Sequence, residues 1–265
     1  MALFKRRRRK VRYRDGFAIP PGERLAAMLR RLAARVTRPG LPRLYVCGDS
    51  HLLPIEYAYD RGWLGPLSCR FKRVGGATAV GLRHPTSKTQ ALQKFRSALL
   101  PFRAGVIPVF QLGEVDCGFV IWHRAAKYGE DIESQLSQAL AAYFEFLEEL
   151  VAAGYRDLIV TGATLPTIRD GAFDGEVAHL RRSVTATMAE RTALTLDYNA
   201  RLAAGCAARG LAFIDIGALV RDPATGFVAD AMRHPNPLDH HLHPERAGRL
   251  WANELLRVLD LPGRV

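Results

Sequence analysis

Five strand-like runs, most of them apolar, interleaved with segments of helical periodicity constrain this chain more than any other feature. The runs are residues 44–47 (LYVC), 69–74, 105–112 (GVIPVFQL), 157–161 (DLIVT) and 211–216 (LAFIDI), and the first four stop at Gly48, Gly75, Gly113 and Gly162. Helical periodicity covers residues 24–36, 90–102, 130–153, 177–209 and 244–259, with Pro244 suited to the first turn of the last helix. Crossover helices bury both faces of a parallel sheet, so its strands read as continuous apolar runs rather than alternating ones. The expected fold is therefore α/β: a three-layer α/β/α sandwich around a five-stranded parallel sheet, with ligands bound at the carboxyl ends of the strands.

The chain has 265 residues, 48% hydrophobic and 24% charged, which is enough to bury a sizeable core. Residues 1–20 read as a basic, disordered tail and residues 21–265 as a single domain. The formal charge is +12, and residues 1–15 alone hold eight Lys/Arg against one Asp. The basic balance is thus mostly a property of the tail, which suits an anionic partner: nucleic acid, anionic lipid or an acidic glycan. A solvated tail without a partner is the alternative. Ala2, Leu3 and Phe4 offer little apolar surface for a membrane anchor. The arginines of residues 24–36 read as a solvated helix face.

No apolar stretch approaches the roughly 18–20 residues of a membrane span, and no apolar segment follows the basic start as a secretory signal requires. A cytoplasmic location is expected. Cys47, Cys69, Cys117 and Cys206 are widely spaced without a CxxC pair, which fits reduced thiols rather than zinc ligation. Four histidines fall within residues 234–243, but no further His or Cys lies near them in sequence, so no metal or other cofactor is expected.

Three polar, glycine-containing turns follow three of the strands: Gly48-Asp49-Ser50-His51, Gly75-Gly76-Ala77-Thr78 and Gly113-Glu114-Val115-Asp116. In a parallel sheet they converge on one edge. A fourth element, Asp239-His240-His241-Leu242-His243-Pro244, precedes the last helix. A serine after a strand is well placed as a nucleophile but needs an adjacent base, and imidazole is the usual one at neutral pH. A carboxylate beside the histidine fixes its tautomer. Backbone amides at Ser50 and at Gly75 or Gly76 can donate to a developing oxyanion. Glu114 and Asp116 read as a general-acid pair, as substrate-positioning acids or as structural ones.

The order of these four blocks resembles the SGNH/GDSL hydrolase superfamily over about residues 41–258. The Gly113-Glu114-Val115-Asp116-Cys117 block is similar to the Gly-Glu-x-Asp-Cys variant of a bacterial subgroup. The resemblance implies a flavodoxin-like sandwich and metal-free ester hydrolysis, often deacetylation, or acyl transfer. It assigns Ser50 as nucleophile and its amide as one oxyanion donor, with Gly75 or Gly76 as a second. Asp239 and His241 take the roles of acid and base, the latter because His241-Leu242-x-Pro244 matches the usual ending. In the binding region it adds Asp49, Gly113, Glu114 and Asp116.

Two departures accompany it. Val115 stands where the family's oxyanion asparagine belongs. Asp239 and His241 are separated by one residue rather than two, which leaves His240 as a second candidate base. The leading expectation is a serine esterase, with a carbohydrate O-acetyl group as one candidate substrate. An acyltransferase and a non-catalytic binding module are the alternatives.

Overall fold

The computed structural model of the chain describes residues 16–171 and 184–261. Its centre is a five-stranded, wholly parallel sheet in the order β2-β1-β3-β4-β5. The strands are β1 (Arg43–Gly48), β2 (Ser68–Arg73), β3 (Val106–Gln111), β4 (Ile159–Thr161) and β5 (Ala212–Ile214). This is the flavodoxin-like order, and the chain reverses its direction of travel between β1 and β3. The expected α/β/α sandwich is therefore the observed one.

Side chains alternate across the sheet, as a strand's two-residue period demands. On one face Cys47, Phe110 and Val160 pack with Phe95, Tyr143, Leu147, Tyr198 and Leu202. These come from α3 (Ala91–Leu99), α5 (Ile132–Ala152) and α6 (Met188–Ala208). On the other face Leu44, Val46, Val109, Ile159 and Ile214 pack with Ile55, Ala58, Trp251 and Leu255. Those helices are α2 (Leu53–Arg61) and α8 (Pro244–Val258). Trp251 is fully buried, a burial that contributes about 1.5–3 kcal/mol or more for a side chain of its size.

Several expected boundaries move for local reasons. The helix expected over residues 90–102 ends at Leu99, because Leu100 precedes Pro101 and is extended (ψ 142°). Within the helical region expected over 177–209, residues 172–183 lie outside the described residues. Helix α6 starts only after Thr187, whose side chain forms a reciprocal capping box with Glu190. Strand β2 is polar and only partly buried because it is an edge strand, where charged residues are tolerated. The expectation of a wholly apolar run does not hold there. Two helices were not expected from the sequence: α2, and α4 (Ile121–Tyr128), which grows out of a wide turn over Asp116–Val120. A short helix α7 (Ile216–Leu219) follows β5.

The amino-terminal helix α1 (Pro21–Thr37) lies outside the sandwich, on α2. Ala27 packs against Gly62, and Arg31 donates to the Tyr59 carbonyl (2.9 Å) and lies over the Tyr59 ring. Phe17 and Ile19, read from sequence as part of a loose tail, are buried with Tyr57. Residues 16–20 therefore belong with the folded part; residues 1–15 are outside the described residues. Among the described residues no helix is long and apolar enough to cross a membrane.

Candidate active site

The strand order reverses between β1 and β3, the place where folds of this kind bind ligands, and the first and third polar turns leave the carboxyl ends of those two strands. Glycine is required at both strand exits. A Cβ on Gly48 would lie 2.3 Å from the Gln111 carbonyl oxygen, and Gly113 has φ 124° with Tyr198 where a Cβ would stand. Gly76 (φ 70°) takes the left-handed third position of the Val74–Ala77 turn, closed by an Ala77 N to Val74 O hydrogen bond.

Beyond β1, Asp49 caps a single helical turn, Ser50–Leu52, by accepting the His51 amide at 2.8 Å. Ser50 is thereby held at the first position of a helical turn that runs into α2. The amide at that position has no intrahelical partner, and Ser50 itself is half-buried.

His51 is buried on the same turn. Its Nε2 makes an ion-pair contact with Glu114 Oε2 at 2.9 Å, with both side chains almost wholly enclosed. Its Nδ1 is 3.3 Å from Thr164 Oγ1. Thr164 follows β4, and its loop is clamped by Asn199 of α6, which accepts the Ala163 amide (2.7 Å) and donates to the Ala163 carbonyl (3.0 Å). Neither Thr164 nor Asn199 was legible as part of a site; an asparagine on a buried helix face was the only available signal.

Asp116 serves the scaffold. Fully buried, it accepts the amides of Ala79 (2.7 Å) and Val80 (3.1 Å), tying the second polar turn to the third. Burial pushes its carboxyl up to about 7, against the opposing pull of those two hydrogen bonds.

The fourth element leads into α8. Asp239 Oδ1 accepts both the His241 amide (2.9 Å) and His241 Nδ1 (2.6 Å). The carboxylate folds back over the residue two positions on, as in an Asx turn, so one intervening residue suffices. Burial raises the Asp239 carboxyl, but the hydrogen bond and charge of His241 outweigh it and hold it well below the ordinary range. Burial lowers the His241 imidazole, only partly offset by Asp239. Its Nε2 is buried and has no hydrogen-bond partner among the described residues.

His241 and His51 are neighbours, with ring centroids 4.8 Å apart, and His240 lies 4.0 Å from His241 and 5.4 Å from His51. One nitrogen from each of the three rings lies within 4.8 Å of the other two, close enough to share a transition-metal ion after small ring movements. The sequence pattern did not suggest this grouping, because His51 is far from the other two along the chain. His243, by contrast, caps α8 and packs on Phe17. The four cysteines are free and buried. Burial pushes the thiols of Cys47, Cys69, Cys117 and Cys206 above their ordinary value, so none is set up as a thiolate nucleophile.

Among the sequence-assigned residues, Glu114, His240 and His241 thus lie against His51, the residue after Ser50, with Asp49 capping its turn and Asp239 bonded to His241; Asp116 ties the segment after the Gly75-Gly76 turn to the third block.

No protein-family model and no curated protein matches the sequence. Solved structures do share its fold. A proposed acylhydrolase from Bacteroides fragilis NCTC 9343 superposes with a TM-score of 0.53 at 16% identity, over 88% of this chain and 96% of that one. A GDSL-like lipase from Bacteroides thetaiotaomicron VPI-5482 gives 0.53 at 13% identity, over 89% and 96%. At these identities the likeness is one of fold: this chain has the α/β/α sandwich of these hydrolases.

Proposed function

We propose that this chain is a serine hydrolase cleaving a small ester, a carbohydrate O-acetyl group being the leading candidate. Ser50 is the nucleophile, His241 its base and Asp239 the orienting acid. The observation that carries the reading is the Asp239–His241 pair. Its hydrogen bond at Nδ1 leaves Nε2 as a buried proton acceptor without a partner among the described residues, on a ring packed against the residue next to Ser50.

In this reading Ser50 Oγ attacks the ester carbonyl as His241 Nε2 takes its proton. The imidazolium is stabilised by Asp239, then protonates the departing alkoxide and leaves an acyl-Ser50. Water, deprotonated by His241, releases the acid and restores the serine. The tetrahedral oxyanion is held by the Ser50 amide and an amide of the Gly75-Gly76 turn, each such donor contributing about 2.7–4 kcal/mol to the transition state. Val115 supplies no side-chain donor, so the hole rests on backbone alone. Glu114, which would repel an oxyanion, is turned toward His51.

Turnover of p-nitrophenyl acetate by wild type, Ser50→Ala and His241→Ala tests this directly. Loss in both variants supports the reading. Unchanged turnover in Ser50→Ala removes it.

A further inference from the structure

Helix α1 is packed on α2 by one side only. Leu25, Met28, Leu29, Leu32 and Val36 are all large, apolar and about half exposed or more, with Val36 at 82%. At 100° per residue they fall within an arc of roughly 100°, opposite Ala27, the residue that packs on Gly62. Five of the nine exposed large hydrophobic residues among the described ones thus form one stripe. Such a stripe marks a contact surface rather than ordinary scatter.

Charge says what it contacts. Residues 1–15 carry +7 and residues 16–38 a further +4, so the first 38 residues hold 11 of the net +12. On the helix, Arg24, Arg31 and Arg35 lie along one flank of the stripe. At its carboxyl end a cavity of about 390 Å³ is lined by Arg35, Arg38 and Arg43 with no acidic residue.

We propose that α1, together with the basic segment of residues 5–14, docks this protein on an anionic lipid surface. An amphipathic helix with an apolar stripe and arginines beside it lies in the interface, while a polybasic segment adds electrostatic attraction; the two signals together give stable attachment where either alone is marginal. The stripe supplies the apolar surface that residues 2–4 lack. A nucleic acid would match the positive charge but offers nothing to a leucine and methionine stripe. A second copy of the chain would bring two strongly positive surfaces face to face. The proposal does not depend on the esterase reading.

The test is sedimentation of the full chain with vesicles of phosphatidylcholine alone or with about 30% phosphatidylserine. Two variants accompany the wild type: L25S/L29S/L32S and R6S/R7S/R8S/R9S. The leucines are half exposed, so unchanged far-UV circular dichroism and Tm are expected; both variants are checked for this first.

Wild type should bind the anionic vesicles about 100-fold or more tighter than neutral ones, losing affinity as salt rises. The leucine variant should lose about tenfold or more, and the arginine variant about 100-fold or more. Equal binding to both vesicle types, binding to neither, or a leucine variant as tight as wild type would overturn the proposal. So would a wild-type dimer that the leucine substitutions dissociate, or tight binding of duplex DNA with none of vesicles.

Discussion

Asp239 Oδ1 receives two hydrogen bonds from a single residue, the amide of His241 at 2.9 Å and its Nδ1 at 2.6 Å. The first sets the turn and the second sets the tautomer, so the proton-accepting Nε2 is fixed by the backbone that carries it. Asp239→Asn keeps an acceptor for the amide but removes the charge and allows the wrong ring tautomer. Esterase kcat should fall by about 10³–10⁴ with little change in KM.

The pH profile follows from the same pair. His241 must be neutral to act as a base, and burial lowers its pKa below the ordinary value. Activity should therefore rise with pH along an acid limb centred below about 6.5. Asp239 opposes that lowering, so in Asp239→Asn the limb should move to still lower pH while the plateau drops. A pH–kcat/KM profile of both proteins checks this; a limb moving upward contradicts the assignment.

The sandwich itself was legible because buried parallel strands must be apolar and must stop where the chain turns to a helix, and glycines mark those stops. The sheet order was not, since periodicity says nothing about which strand lies beside which. At the site, the types of Ser50 and His241 were readable from their blocks, but the spacing of Asp239 and His241 looked one residue short until the turn geometry closed it. The His51–Glu114 contact joins residues 63 positions apart and leaves no local signature. The stripe on α1 looks like any amphipathic helix in sequence; only the packing of α1 by its Ala27 side shows that the apolar side faces outward.

Asp116 gives a stability prediction. Its folded pKa, raised to about 7, exceeds that of an unfolded aspartate, so the folded state holds an extra proton between about pH 4 and 7. The contribution to stability is fully present below the unfolded pKa and is lost as pH rises through the folded one. Thermal unfolding from pH 4 to 8 should show it as a decline in Tm. Asp116→Asn should abolish that decline and cost about 1–3 kcal/mol by leaving one of the Ala79 and Val80 amides without an acceptor. Equal pH slopes in the two proteins would argue against the role given to Asp116.

The grouping of His51, His240 and His241 predicts that the site acts as a trap for zinc. Tetrahedral ligation at about 2.0–2.1 Å requires the three nitrogens to close to roughly 3.4 Å of one another, a small movement from their present spacing. Such an ion would occupy Nε2 of His241 and block the base. Added Zn²⁺ should inhibit esterase turnover, more strongly at pH 8 than at pH 6, because protons compete for the same nitrogens. His240→Ala should weaken the inhibition about tenfold or more while retaining turnover. Calorimetric titration of Ser50→Ala with Zn²⁺ reads the binding apart from activity; absence of binding there would dismiss the trap without touching the esterase reading.

The central claim is that Ser50 is a nucleophile activated by His241. The most direct measurement is covalent labelling with a fluorophosphonate, mapped by peptide mass spectrometry, in wild type, Ser50→Ala and His241→Ala. An adduct on the peptide containing Ser50, absent in Ser50→Ala and formed about 10³-fold or more slowly in His241→Ala, is the predicted result. A folded wild-type protein that takes no label, or that is labelled equally in Ser50→Ala, would contradict it.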